Sequence, residues 1–252
     1  MGKIKETAKV LSQKCIATDI YSMWIETGIS KEACPGQFIS VYTKNDSKLL
    51  PRPISICEVE EGKLRIVYRI AGYGTDEFSK YKEGDDITIL GPLGNGFPLD
   101  KGTHAMLIGG GIGIPPMLQL AKSLTCEKEI VVGYRNELFL NEELSKYGNV
   151  TIATEDGSTG TKGNVIDAIN ANGLKADVIL ACGPMPMLRG IKAYAKENGI
   201  KAFISLEERM ACGVGACLGC VCKSKEKDDH SKVNNKRICA DGPVFDAEDV
   251  EI

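Results

Sequence analysis

Ala105-Met-Leu-Ile-Gly-Gly-Gly-Ile-Gly-Ile-Pro-Pro-Met-Leu-Gln-Leu-Ala-Lys-Ser-Leu124 decides how the middle of this chain folds. Ala105–Ile108 reads as a strand, the glycines that follow as a loop, and Pro115–Leu124 as a helix opened by its two prolines. A strand, a glycine loop and a helix in that order begin a nucleotide-binding unit. Gly110, Gly111 and Gly113 let the backbone approach a pyrophosphate, and the helix N-terminus faces it with roughly half a positive charge. Proline stands where the usual dinucleotide fingerprint has its third glycine. A glycine loop alone is commonly just a turn, so the weight lies in its setting.

Toward the C-terminus the same rhythm continues. Glu129–Gly133, Val150–Ala153 and Asp177–Ala181 read as further strands, and a helix runs from Met185 to Asn198. Residues 100–206 are therefore predicted to form a doubly wound parallel sheet. Its second marker is Ala181-Cys-Gly-Pro-Met-Pro-Met187, again at the C-terminal edge of a strand, where ligands of such sheets sit. Cys182 offers a soft, uncharged thiol that can flank a nicotinamide ring, with Gly183 and Pro184 beside it. Packing is the plain alternative. The choice between NAD and NADP stays open in the residues, since Arg135 would suit a 2′-phosphate and Glu137 the free ribose hydroxyls.

Toward the N-terminus the pattern is β. Phe38–Tyr42, Leu64–Tyr68 and Asp86–Leu90 alternate in polarity between turn signals such as Pro35-Gly36, so residues 1–99 are predicted to form a small antiparallel barrel. Arg52-Pro-Ile-Ser55 combines a bidentate phosphate fork, a fixed backbone direction and a hydroxyl able to reach a flavin ring nitrogen. Tyr68-Arg-Ile-Ala-Gly-Tyr-Gly-Thr75 ends a strand in a glycine turn that can lay N–H groups against a pyrophosphate. Each is weak alone. Together, ahead of a nucleotide-type domain, they signal flavin.

The last segment, 207–252, is a cysteine module. Half of the ten cysteines lie in Cys212-Gly-Val-Gly-Ala-Cys-Leu-Gly-Cys-Val-Cys222 and at Cys239. C-x4-C-x2-C with a distant fourth cysteine is the plant-type [2Fe–2S] spacing. Cys212, Cys217, Cys220 and Cys239 are the expected ligands, with Cys222 a buried neighbour. Gly213, Gly215 and Gly219 are expected to supply left-handed turns and inward N–H groups. A four-cysteine zinc site is the alternative, but such sites pair two short knuckles and Cys239 stands alone. Between the cysteines, Lys223–Lys236 reads as an exposed hairpin or loop. Cys15, Cys34, Cys57, Cys126 and Cys182 are taken as buried thiols.

Other classes are disfavoured. A net charge of −3 gives no footprint for nucleic acid, and neither a basic run nor a long apolar stretch points to a membrane. The N-terminal residues lack the apolar core of a signal peptide, and clustered cysteines point to metal ligands in a reducing cytoplasm. Of the two histidines, His104 falls in an expected linker and His230 in the polar insert. Glu207 and Glu208 read as part of a polar face. No residue set for proton chemistry on an organic substrate emerges.

Arg52-Pro-Ile-Ser55, Gly72-Tyr-Gly-Thr75, Gly109–Pro116, Cys182-Gly-Pro-Met185 and Glu208–Cys222 with Cys239-Ala-Asp-Gly-Pro-Val-Phe245 follow one another in this chain. In that order they resemble the ferredoxin–NADP reductase superfamily and, within it, the electron-transfer subunits of class 1B dihydroorotate dehydrogenases. The resemblance implies FAD held by Arg52, Pro53, Ile54 and Ser55, by Arg69, Ile70 and Ala71, and by Gly74 and Thr75. It implies [2Fe–2S] on the four named cysteines and NAD as electron acceptor. It further implies an FMN-containing catalytic partner in an α2β2 heterotetramer serving pyrimidine biosynthesis. The insert before Cys239 is longer than is usual in that family, which affects the loop's shape and leaves the ligands alone. Two rivals stand beside this reading: another flavin and iron–sulfur reductase subunit, of ferredoxin:NADP or sulfide dehydrogenase type, and a zinc-bearing interaction module.

Overall fold

Six strands close on themselves at the N-terminus: β1 (Ile4–Ala17), β2 (Ile20–Glu26), β3 (Phe38–Tyr42), β4 (Arg52–Glu60), β5 (Lys63–Arg69) and β6 (Asp86–Leu93), with a short helix α1 (Tyr73–Phe78) between the last two. Their order round the barrel is β1-β2-β5-β4-β3-β6, every pair antiparallel, so no edge is left to pair elsewhere. The inward residues of the alternating strands, among them Ile25, Ile39, Ile56, Ile66 and Ile89, are fully buried with Phe78. These features belong to a computed structural model that describes residues 2–227 and 232–252.

The sheet follows as β7 (His104–Gly110), α2 (Pro115–Ser123), β8 (Glu127–Tyr134), α3 (Asn141–Leu144), β9 (Asn149–Thr154), β10 (Thr161–Lys162), α4 (Val165–Asn172), β11 (Val178–Cys182), α5 (Met185–Asn198) and β12 (Lys201–Ser205). The strand order β10-β9-β8-β7-β11-β12 reverses direction beside β7, which makes the crevice between β7 and β11 the switch point. Both faces of β7 are covered. Ala105 and Leu107 pack with the α2 side, Met106 and Ile108 with the α4 and α5 side, as a parallel strand buried on both faces requires.

The C-terminal segment adds β13 (Val221–Ser224), β14 (Asn235–Arg237), β15 (Val244–Asp246) and β16 (Val250–Glu251). Three of these form a small sheet, β14-β13-β16. The fourth, β15, leaves it and pairs antiparallel with β12 at the edge of the large sheet. Antiparallel pairing of β13 with β14 gives the polar insert the flanks of a hairpin.

Several local expectations change. Gly72-Tyr-Gly-Thr75 is the start of α1 rather than a glycine turn, because the Thr75 hydroxyl accepts from Ala71 N (2.8 Å) and donates to Gly72 O (3.1 Å), closing a helical turn. His104 opens β7 instead of lying in a linker, 4.0 Å from Glu129, and His230 lies outside the described residues. Of the five scattered cysteines only Cys57 is buried. Cys15 and Cys34 are exposed and Cys126 is half-buried, while Cys182 is half-buried at the end of β11, where it lines the space between barrel and sheet.

Barrel and sheet are joined through an apolar seam of α2 against Ala17, Ile20, Cys57 and Val67, and through one buried cation. Arg65 on β5 donates to Ser22 Oγ (2.7 Å) and, with both terminal nitrogens, to Glu143 of α3 (2.5 and 3.2 Å), with Glu58 at 3.5 Å. Its side chain is only 9% exposed, whereas Glu143 is 38% exposed and Glu58 is also held by Lys122 at 3.1 Å. Arg65→Ala is expected to cost about 2 kcal/mol, the scale of hydrogen bonds to a charged group. Urea denaturation checks this; an unchanged midpoint would show the pair to be idle.

Candidate active site: a cleft between barrel and sheet beside a cysteine loop

The C-terminal edges of β7 and β11 meet at the switch point, with Cys182 in register with Gly109. The loop after β7 comes so close to β11 that a Cβ on Gly113 would lie 2.3 Å from the Cys182 carbonyl oxygen. On the other side, a Cβ on Gly110 would strike Met187 Sδ at 2.4 Å. These glycines are thus needed for backbone packing around the crevice as well as for any approach by a ligand.

In front of this crevice lies a cleft of about 610 Å³, walled by the barrel on one side and the sheet on the other. Arg52, Pro53, Ile54, Ser55, Arg69, Ala71 and Thr75 line it from the barrel, and Gly113 and Cys182 from the sheet. Of the remaining residues singled out in the sequence, Gly74 sits behind the wall and makes room for Arg52, whose Nε would be 2.2 Å from a Cβ there. Gly111 is beside Arg69 Nη2, and Gly110 and Gly183 pack on each other; neither they, Pro184 nor Ile70 line the cleft. The Arg52 guanidinium donates to its own loop at Leu50 O.

Sequence reasoning missed half of the wall. Phe38, Val67, Tyr68 and Ile112 contribute apolar surface, and Ser205–Met210 crosses the cleft with Pro243. Glu207 and Glu208 are therefore part of the site and not only of a polar face. The usable signal was the end of β12, which by the sheet-edge rule belongs to the same rim as Cys182; Ser205 is its register partner.

Burial pushes the Cys182 thiol up to about 12, with Glu207 adding to the rise and the Ser205 hydroxyl opposing it. At neutral pH it is a protonated, poorly nucleophilic group facing the cleft.

The cysteine loop packs on the barrel next to this cleft. A Cβ on Gly213 would stand 3.0 Å from Ser40 Oγ, and Ser40 is the cross-strand partner of Pro53. Ser40 Oγ is buried without a hydrogen-bond partner among the described residues, at the junction of flavin-type motif and cysteine loop. Cys217 acts on Cys212, and both Cys220 and Cys212 act on Cys239, so the thiols share one neighbourhood. Backbone N–H groups point at sulfur: Val214 at Cys212 Sγ (3.4 Å) and Gly215 at Cys239 Sγ (3.2 Å). Burial works to raise the Cys212 thiol, yet the N–H groups of Val214, Cys217 and Ala216 bring it down to about 6. Cys239 goes the other way, to about 12, through burial and the adjoining Cys220. Among the described residues no three side chains of His, Cys, Asp or Glu are set for a single metal ion. Cysteines in C-x4-C-x2-C order with a distant fourth suit two irons better than one zinc. Gly213 and Gly215 take the left-handed turns expected of them, but Gly219 does not; Leu218 does (φ 55°). Cys222 is half-buried rather than buried, on the central strand β13 of the small sheet opposite Lys236 of β14.

A family model described as the iron–sulfur cluster binding domain of dihydroorotate dehydrogenase B matches residues 207–251. Curated relatives match over nearly the whole chain. The dihydroorotate dehydrogenase B (NAD(+)) electron transfer subunit of Caldanaerobacter subterraneus subsp. tengcongensis is 42% identical over 98% of this chain and 98% of its own length. That of Listeria monocytogenes serotype 4b is 44% identical over 97% and 98%. The chain belongs to the family of dihydroorotate dehydrogenase B electron-transfer subunits. Among solved structures, an NADH-dependent reduced ferredoxin–NADP oxidoreductase, described for flavin-based electron bifurcation, superposes with a TM-score of 0.88 at 29% identity, over 98% of this chain and 90% of that one. A ferredoxin NADP+ reductase from Neisseria gonorrhoeae, at 17% identity, shares the fold of barrel and sheet with a TM-score of 0.66 over 81% of this chain and 94% of that one.

Membership makes this protein an oxidoreductase subunit that works with a catalytic partner, and the zinc-module and sulfide dehydrogenase readings give way to it. No helix among the described residues is long and apolar enough to cross a membrane. For an electron-transfer subunit of this family, an unreactive thiol on the cleft wall has a checkable signature. At pH 8, iodoacetamide should label exposed Cys15 and Cys34 and leave Cys182 unmodified on peptide mapping of the folded, loaded protein. Labelling of Cys182 at a comparable rate would contradict a raised thiol pKa.

Proposed function

We propose that this chain passes electrons between an FMN-containing dihydroorotate dehydrogenase catalytic subunit and NAD+, with a [2Fe–2S] cluster and FAD as its carriers, in a cytoplasmic α2β2 complex of pyrimidine biosynthesis. The observation that carries the proposal is the contact of Gly213 with Ser40, one strand away from Arg52–Ser55. It sets the proposed metal site and the proposed flavin site side by side, as electron exchange needs.

The roles follow from the side chains and the three segments 1–99, 100–206 and 207–252. Arg52, Pro53, Ile54 and Ser55, with Arg69, Ile70 and Ala71, hold FAD along the barrel wall, and Gly74 and Thr75 fix the turn that seats Arg52. Gly110, Gly111 and Gly113 keep the sheet edge bare for a dinucleotide, and Gly183 and Pro184 shape its far side. Cys182, held as a neutral thiol, borders the nicotinamide without attacking it. Cys212, Cys217, Cys220 and Cys239 hold the irons. When bound, flavin exchanges hydride with nicotinamide and single electrons with an iron–sulfur centre. Substrate oxidation belongs to the partner, which accounts for a cleft wall without a histidine.

NAD+ is favoured over NADP+ by charge. Arg135, the residue suited to a 2′-phosphate, stands 4.0 Å from Glu155, whose carboxylate opposes a phosphate there. A docking face for the partner is supported by the exposed apolar side chains of Val214, Leu218 and Val221 round the cysteine loop.

Two assays test the reading. The chain alone should oxidise NADH with an artificial acceptor and show no dihydroorotate oxidation; turnover of dihydroorotate by the lone chain would sink it. Cys217→Ala should abolish the EPR signal of the reduced cluster while FAD stays bound. A normal signal in that variant would remove Cys217 from the ligand set.

A further inference from the structure

Arg237 ends β14 two residues before Cys239 and lies back across the cysteine loop. Asp241 fixes it: one carboxylate oxygen accepts from the Arg237 backbone N–H (2.7 Å) and from Nε (2.9 Å), the other from Nη2 (2.7 Å). A guanidinium gripped in this planar, forked way has little rotamer freedom left. Its Nη1 donates to the Gly215 carbonyl oxygen at 3.4 Å. The N–H of Gly215 itself donates to Cys239 Sγ. Gly215 has φ +86°, and a Cβ there would meet Ala240 Cβ at 2.7 Å and Arg237 Nη1 at 3.4 Å, so the guanidinium reaches the loop over a face only glycine leaves open.

We propose that Arg237 is a positioning residue of the iron–sulfur site, its charge anchored by Asp241 and held against Gly215, whose N–H donates to the Cys239 sulfur. The inference rests on the cluster assignment made above. Hydrogen bonds in series strengthen one another, and donors and charges close to the sulfurs are levers on reduction potential. Reduction adds negative charge to the cluster. A cation beside it therefore favours the reduced form, and an anion opposes it. Arg237 and Asp241 are both about seven-tenths buried, so water screens them only in part.

The two members of the pair consequently have opposite electrostatic effects, although they have the same mechanical one. The test is a dye-mediated redox titration of the full, cofactor-loaded chain, followed by EPR of the reduced cluster, for Arg237→Gln, Arg237→Lys and Asp241→Asn. With iron and sulfide content at the parent level, Arg237→Gln is expected to lower the cluster midpoint potential and Asp241→Asn to raise it. Arg237→Lys should recover most of the Arg237→Gln shift. Shifts of the same sign in the Gln and Asn variants, or unchanged midpoints at full iron content, would overturn the proposal. Loss of iron from both would overturn it too, by assigning the pair to holding the loop alone. If the parent chain lacks a reduced-cluster signal, the cluster assignment itself fails, which is a separate result.

Discussion

One short crossing holds the three parts of this protein in place. Gly94 and Asn95, just past the last barrel strand, receive the backbone of Gly242–Val244 from the cysteine module. Asn95 N donates to Gly242 O (2.7 Å), and the Asn95 side chain both accepts from Val244 N (2.9 Å) and donates to Val244 O (2.7 Å). Gly94 has φ +73°, and the space of its missing Cβ is taken by Pro243 Cδ at 2.5 Å and Gly242 O at 2.7 Å. The same segment then enters the large sheet as β15. Because it is hydrogen-bonded to the barrel through one peptide and to the sheet through the next, the cysteine loop cannot move independently of the cleft.

That constraint explains the shape of the site. The cleft needs a wall from each domain, and the Ser205–Met210 crossing that covers it leads directly into the cysteine loop. Arg65, bridging to Glu143, resists sliding of the two walls from the opposite side of the seam. The site is thus fixed from two sides, by backbone pairing at Val244 and by a buried ion pair at Arg65. What faces the cleft is apolar surface, a protonated thiol, hydroxyls, arginines and, on the Ser205–Met210 crossing, the carboxylates of Glu207 and Glu208. Such a wall suits the holding of redox cofactors.

Much of this was legible in the chain. Barrel strands β3, β5 and β6, sheet strands β7, β8, β9 and β11, and the helices at Pro115 and Met185 could be read within a few residues, because alternation, glycine loops and proline starts are local signals. Cleft residues carried by short motifs, such as Arg52–Ser55, Gly113 and Cys182, could be read for the same reason. Less legible were contributions from single residues without a motif. Phe38 and Val67 come to the cleft by strand pairing, which no spacing in the sequence announces. Helix α1 was hidden because Gly72-Tyr-Gly-Thr75 has the composition of a turn; one Thr75 hydroxyl, bonded at both ends, makes it helical. Exposure of Cys15 and Cys34 was hidden too, since composition says nothing of which way a strand residue points.

The sequence by itself determined the kinds of unit and their chemistry: a closed barrel, a doubly wound sheet, and a loop of four cysteines spaced for two irons. Those follow from period, turn chemistry and ligand spacing, which act over a few residues. Only the tertiary structure decided how the units meet. It placed Gly213 on Ser40 beside the flavin-type motif, returned Val244 to both domains and set Arg237 on the loop it braces. Each of these joins residues distant in the chain. They depend on backbone groups finding partners across domains and on the few glycines that let chains approach more closely than a Cβ allows.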